Sequence, residues 1–254
     1  MRLTTVGTGN AAPSPRRVNA GHLVEAGQTR LLMDCGSGVV HRMATLGIDW
    51  RAITHVAITH FHYDHTLDVP TLFYAWVYGV LPRRAEPVTL IGPPGTEALV
   101  QQMGALVADD LCAKGFPVAI RELAHGSAVE AGDLRVEAHK VPHTAESIAY
   151  SVTQGGRRVV YTGDTGPDPA FRAWAAGADV LLSECSLPRS MAMPTHMTPE
   201  DCAELAAEAR PGVLALTHFY PPVEGEDIRG IIASRFDGPV VLAEDGWFTE
   251  IEDG

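Results

Sequence analysis

Histidines and aspartates recur in this chain at positions that suit two metal ions. The densest run is Thr59-His60-Phe61-His62-Tyr63-Asp64-His65, and His143, Asp164 and His218 follow downstream. Each of the downstream three comes just after a stretch that reads as a strand. His60 and His62 stand two apart at the end of an extended segment, so their side chains face the same side. Asp64 and His65 follow where the chain turns toward a helix, which lets them face a second ion. The two oxygens of Asp164 could bridge a pair of ions. Imidazole and carboxylate together suit zinc and similar first-row metals, and this ligand set is large enough for two ions sharing a bridge. Ions about 3.5–4 Å apart lower the pKa of a bridging water and stabilise charge developing on a phosphoryl or carbonyl oxygen. The implied chemistry is hydrolysis at a dinuclear centre. Its cofactors would be two divalent ions, zinc first, with manganese(II) or iron(II) as alternatives.

The elements that must position these residues alternate between strand and helix. Residues 3–6, 22–25 and 30–34 are predicted strands, and residues 40–46 a helix. A buried strand over residues 54–59 delivers the histidine run. Residues 70–78 form an apolar, aromatic helix, 88–91 a strand, and a helix starts at Pro94 and runs to residue 103. Strands follow at 134–141, 147–153 and 158–162, with Gln154-Gly155-Gly156 as the turn between the last two. Helix 169–176, strand 180–183, strands 213–217 and 240–243 and helix 226–234 complete the pattern. Thr198 caps a helix over residues 199–209, with Asp201 as its capping-box partner. Without a linker or low-complexity tract, the expected organisation is one hydrolase domain over residues 1–254, with two mixed sheets inside flanking helices.

Composition narrows the setting. Of 254 residues, 46% are hydrophobic and 20% charged, which is ordinary for a globular protein with a real core. Cys35, Cys112, Cys185 and Cys202 are widely spaced in the sequence and contain no C-x-x-C pair, against both a disulfide framework and a zinc knuckle. The N-terminal residues run straight into a strand without a signal-peptide pattern, and no apolar run is long enough to span a bilayer, so a cytoplasmic location without a membrane partner is expected. The net charge of −12 makes a long polyphosphate a poor default partner.

The cluster resembles the metallo-β-lactamase superfamily, and within it the ribonuclease Z-like phosphodiesterase branch. The resemblance covers nearly the whole chain. Val6-Gly7-Thr8-Gly9 and Leu31-Leu32-Met33-Asp34-Cys35-Gly36 look like its first motifs, and His60-x-His62-x-Asp64-His65 matches its signature. It implies a four-layer αββα sandwich of two mixed β-sheets, an α/β (α+β) fold. It also implies that His60, His62 and His143 hold one ion, that Asp64, His65 and His218 hold the other, and that Asp164 bridges. Asp34 would orient the cluster from behind. His196-Met197-Thr198 matches the branch's His-x-Thr motif, and Ser183-Glu184-Cys185 occupies the place of its acidic motif. Catalysis would then involve Asp64, His196 and Glu184. By the resemblance, a hydroxide supplied by the ions would attack, His196 would serve the leaving oxygen, and Glu184 would hold His196 and keep it a proton donor.

Ribonuclease Z carries a long tRNA-gripping arm between the ligands equivalent to His143 and Asp164. Here that interval is only residues 144–163, and there is no Lys/Arg stripe. Arg16-Arg17, Arg83-Arg84 and Arg157-Arg158 read as solvated pairs, although Arg16 or Arg17 stands near the first loop. Most of Phe73, Tyr74, Trp76 and Tyr78 should be core, yet one or two, or Tyr63, could form a floor for an aromatic group. The expected partner is therefore a small-molecule phosphodiester, such as a cyclic nucleotide or a short nucleotide or aryl diester. A homodimer is expected only from the family. The alternatives are a lactonase or thioesterase on the same scaffold, a tRNA 3′-processing ribonuclease, an iron-dependent oxidoreductase or a non-catalytic sensor.

Overall fold

The computed structural model describes residues 1–105 and 115–252, so Cys112 lies outside the described residues. In the first half the chain forms β1 (Arg2–Gly7), β2 (Gly21–Ala26), β3 (Thr29–Met33), α1 (Val39–Thr45), β4 (His55–Ala57), α2 (Tyr63–Thr66), α3 (Val69–Tyr78), β5 (Val88–Gly92), α4 (Thr96–Ala105) and β6 (Val118–Glu122). In the second half follow β7 (Ala128–Ala131), β8 (Leu134–Lys140), β9 (Ile148–Gln154), β10 (Arg157–Tyr161), α5 (Pro169–Trp174), β11 (Val180–Glu184), α6 (Pro199–Ala209), β12 (Val213–Thr217), α7 (Ile228–Ala233), β13 (Val240–Leu242) and β14 (Phe248–Glu250). One sheet has the order β14-β1-β2-β3-β4-β5-β6 and the other β13-β12-β11-β10-β9-β8-β7.

Each sheet begins as an antiparallel meander and ends as a parallel run. β1 to β3 pair antiparallel and β3 to β6 parallel. β7 to β10 pair antiparallel and β10 to β13 parallel. The two halves thus share one plan without a legible sequence repeat.

Strand alternation assigns the layers, because successive side chains point to opposite faces. Leu31 and Met33 of β3 meet Val159 and Tyr161 of β10 and Leu182 of β11 between the sheets. Leu32 points the other way, onto Met43 of α1 and Phe73 and Trp76 of α3. Val160, Leu181 and Leu214 likewise face Phe171 of α5, Leu205 of α6 and Ile232 of α7. The result is the expected four-layer αββα sandwich of two mixed sheets.

Local chemistry fixes the joints. β9 turns into β10 through Gly155-Gly156 alone, with Gln154 paired to Arg157 and Gly155 at φ 60°. The Thr198–Asp201 capping box starts α6. The predicted strand over residues 54–59 needs correction: β4 is only three residues long. Its ladder stops because the Thr59 N–H donates to the Asp34 carboxylate at 2.8 Å instead of to a neighbouring strand. β6, β7 and β14 were not legible, being short edge or near-edge segments that lack a clear apolar alternation. Among the described residues, no helix is long and apolar enough to cross a membrane.

The arginine pairs also need correction, since one member of each is a structural clamp. Arg17 donates to Thr8 Oγ1 at 2.6 Å and Ala243 O at 2.5 Å and pairs with Glu224. Arg158 donates to Ser151, Ala176 and Trp174. Arg84 is buried, with its guanidinium 4.6 Å from the Trp76 ring centroid. It donates to the carbonyls of Arg51 (2.7 Å), Ile53 (2.9 Å), Glu86 (2.9 Å) and Pro87 (3.1 Å). Arg84→Ala strands these carbonyls and is expected to cost about 3 kcal/mol in urea unfolding. Arg84→Lys should recover less than half, since an ammonium lacks the planar fork. A loss below about 0.5 kcal/mol for alanine would show that the clamp contributes little.

Candidate metal centre and active site

The site lies where β4, β8, β10 and β12 end. His60 follows β4, His62 caps α2, Asp64 and His65 lie within α2, His143 follows β8, Asp164 follows β10, and His218 follows β12. Close backbone approach makes this possible. A Cβ on Gly36 would fall 1.9 Å from the Asp64 carbonyl oxygen, so only glycine lets the loop after β3 pass α2. Gly163, at φ 57°, turns the chain just before Asp164.

Three nitrogens converge at one end. His60 Nε2 lies 3.0 Å from His62 Nδ1, which lies 3.1 Å from His143 Nε2. On the other side His218 Nε2 lies 3.4 Å from Asp64 Oδ2, and His65 Nε2 lies 3.9 Å from the same oxygen. Asp164 stands between the two groups. Its Oδ1 is 3.3 Å from His65 Nε2 and 3.4 Å from His218 Nε2. Its Oδ2 is 3.7 Å from His143 Nε2 and 3.9 Å from His60 Nε2.

The far nitrogens of His60, His65, His143 and His218 are anchored, which fixes these rings and aims their near nitrogens inward. His65 Nδ1 donates to Asp34 Oδ2 at 2.7 Å, and His143 Nδ1 to the Thr195 carbonyl at 2.9 Å. His60 Nδ1 meets Thr59 Oγ1 and His218 Nδ1 meets Ser186 Oγ, both at 3.0 Å. Asp34 is the hub: besides His65 it accepts from Thr59 N, Thr59 Oγ1 and Tyr161 OH. Tyr161 reaches it from the opposite sheet. Asp34 and His218 both sit at positive φ, 58° and 62°. For non-glycine residues such strain persists only where the surroundings over-determine it, and it concentrates at functional sites.

These groups fit divalent cations. His65 Nε2 and Asp164 Oδ1 are buried without a hydrogen-bond partner, although only 3.3 Å apart. Burial pushes His60 well below the ordinary histidine range and lowers His62 too, so both offer lone pairs at neutral pH. Burial would raise Asp164, but His218, His65 and His60 hold its carboxyl well below the usual range. Against burial, Asp164 and Asp34 push His65 well above its usual value, so an ion entering there displaces a proton.

Next to the cluster, His196 Nδ1 donates to Glu184 Oε1 at 3.0 Å, with Oε2 at 3.2 Å. Glu184 is fully buried at the end of β11 and also accepts from Thr165 N (2.6 Å), Met197 N (3.2 Å) and Ser186 Oγ. Burial alone would lower His196, but the hydrogen bond and charge of Glu184, with Asp164 and Asp64 behind, raise it to about 9. The His196 ring packs edge-on to His143 at 4.9 Å and parallel to His218 at 6.1 Å. Asp164, His196 and His218 also bring ligand atoms within 4.8 Å of one another.

All the predicted site residues therefore come together. Sequence reading missed Thr59, Tyr161 and Ser186, which hold the ligands from behind. Their signals were faint: a threonine just before His60, a tyrosine three residues before Asp164, and a serine two after Glu184. Phe73 and Trp76 are core, whereas Tyr63, Tyr74 and Tyr78 are exposed.

Fold and cluster together define a metal-dependent hydrolase of the metallo-β-lactamase superfamily, and the chain belongs to that superfamily: the family described as Beta-lactamase superfamily domain matches residues 29–219. Within it the chain is of the ribonuclease Z-like branch. A ribonuclease Z from Mycolicibacterium gilvum is 31% identical over 96% of this chain and 94% of its own length. The metallo-beta-lactamase fold protein YhfI from Bacillus subtilis superposes with a TM-score of 0.86 at 25% identity, covering 98% of each chain. The short form of human tRNase Z superposes with a TM-score of 0.81 at 24% identity over the whole of both chains.

Proposed function

We propose that this hydrolase is a phosphodiesterase acting on small phosphodiesters, with His60, His62 and His143 holding one zinc ion, Asp64, His65 and His218 the second, and Asp164 shared. The observation that carries the reading is the His196–Glu184 pair beside the cluster. An alkoxide or phenoxide leaving a phosphodiester needs a proton, and a histidine held protonated by a buried carboxylate supplies one. Bound divalent ions would supply a hydroxide nucleophile at neutral pH and offset the charge of the phosphoryl group. Asp34 and Thr59 keep the ligand rings in register, and Ser186 ties the Glu184 carboxylate to His218.

The size of the substrate is argued from the β9–β10 turn. Two glycines span the place where a tRNA-gripping arm would be inserted. With a net charge of −12, that favours a cyclic nucleotide or a short nucleotide or aryl diester over a long RNA. A second reading, tRNA 3′ processing, is favoured by the similarity to proteins named ribonuclease Z.

Metal-loaded protein should be assayed on bis(p-nitrophenyl) phosphate, cyclic nucleotides, a precursor tRNA with a 3′ trailer, a lactone and a thioester. Turnover of the small diesters with slow or absent trailer cleavage supports the first reading. Efficient trailer cleavage would replace it with the second, and activity on the lactone or thioester alone would sink both.

A further inference from the structure

Tyr220 stands beside the proposed acid with a hydroxyl that the fold does not use. It follows His218 by two residues, and its ring is edge-on to His218 at 5.7 Å and to His196 at 6.1 Å. Its backbone is fixed from both sides. Its N–H donates to the Ser186 carbonyl at 3.2 Å, and its carbonyl accepts from Val223 N at 3.0 Å across Pro221-Pro222. The ring is only partly buried. Among the described residues its hydroxyl has no hydrogen-bond partner, whereas the buried Tyr150 and Tyr161 hydroxyls reach Ile58 O and Asp34.

A bound phosphodiester brings anionic oxygens that need donors. Asp64, Asp164 and Glu184 are acceptors, and the ligand histidines have their N–H groups turned outward. Of the pair that the sequence placed near the first loop, Arg17 is engaged with Thr8, Ala243 and Glu224, and Arg16 pairs with Glu224. The Tyr220 phenol, protonated at neutral pH, is a donor at this edge of the site whose hydroxyl has no partner among the described residues.

Resting on the phosphodiesterase reading, we propose that the Tyr220 hydroxyl binds substrate, donating to a non-bridging oxygen of the phosphoryl group on the His196 side. Such a donor is neutral, so it suits the single negative charge of a diester and adds no cation for a monoester dianion. Its contact is with the phosphoryl group and not with the leaving oxygen, which separates its role from that of His196.

The test is Tyr220→Phe, which keeps the ring that packs on His196 and His218. The metal-loaded variant and wild type are compared on aryl phosphodiesters whose leaving phenols differ in acidity. Binding of inorganic phosphate is followed by calorimetry, and metal content is measured on both. The expected result is a loss of about 10–100-fold in kcat/KM, the same for every leaving group, with weaker phosphate binding and unchanged metal. His196→Ala, by contrast, should lose most on the poorest leaving groups. If an active wild type and Tyr220→Phe agree within about twofold in kcat/KM and phosphate affinity, the Tyr220 proposal is overturned and the phosphodiesterase reading stands. A wild type inert on every diester overturns both.

Discussion

Asp164→Asn should cost the site at least one of two ions and lower diester hydrolysis by about a thousandfold or more, several kcal/mol of transition-state stabilisation. The substitution keeps the shape of the side chain and removes its charge. Asp164 Oδ1 lies 3.3 and 3.4 Å from His65 and His218, and Oδ2 3.7 and 3.9 Å from His143 and His60. One carboxylate therefore lies between both groups of side chains. Without it, five neutral imidazoles and Asp64 face two divalent charges. Metal analysis should find at most one ion per chain in the variant, against two in the wild type. Thermal unfolding gives an independent readout. An ion that binds only the folded chain stabilises it by mass action, so a chelator should lower the melting temperature of the wild type by more than that of the variant. An Asp164→Asn protein with full metal content and activity within tenfold of wild type would show that the carboxylate is not shared between ions.

How much of this centre was legible depended on where the information sat in the chain. The proposed ligands come from four separate segments, yet each carries a local mark: the dense run from His60 to His65, and single histidines or an aspartate at strand ends. The two mixed sheets inside flanking helices were legible for the same reason, because the strands bordering the site are apolar and bounded by glycine and proline, whereas the four-layer αββα order came from the family resemblance. The supports behind the ligands carry no such mark. Tyr161 looks like any inward-facing residue of β10, and only the packing of one sheet on the other brings its hydroxyl to Asp34. Ser186 becomes meaningful only once the connection from β11 to α6 has brought His196 back to Glu184. The arginine pairs misled because doublets of charge usually mark a wet surface. Arg84 is clamped by carbonyls from residues 51–53 and 86–87, a long-range arrangement that spacing does not encode.

His196→Ala should lower kcat on diesters with poor leaving groups by about 10²–10⁴-fold, the usual worth of a positioned acid, while leaving the metal content intact. Metal content decides between the two things this ring could be. Asp164, His196 and His218 lie close enough to share an ion, and a ligand histidine too can be held by a carboxylate through its far nitrogen. Loss of one ion in the alanine variant would make His196 a ligand and remove the acid from the mechanism. If the ions stay, the pH profile carries the argument further. His196 must be protonated to serve the leaving oxygen, so activity is present below its pKa in the folded protein and is lost as the pH rises through it. Burial alone would lower that pKa, while the hydrogen bond and charge of Glu184, then Asp164 and Asp64, raise it to about 9. Divalent ions on Asp64 and Asp164 cancel that part of the raise, so the descending limb should fall below about 9. Glu184→Gln keeps a hydrogen-bond acceptor and removes the charge beside the ring. Its limb should move to lower pH than that of the wild type, so the activity lost at pH 8 returns as the pH falls. A Glu184→Gln profile that superposes on the wild type would mean that the titrating group is not His196, whatever the alanine variant does to kcat.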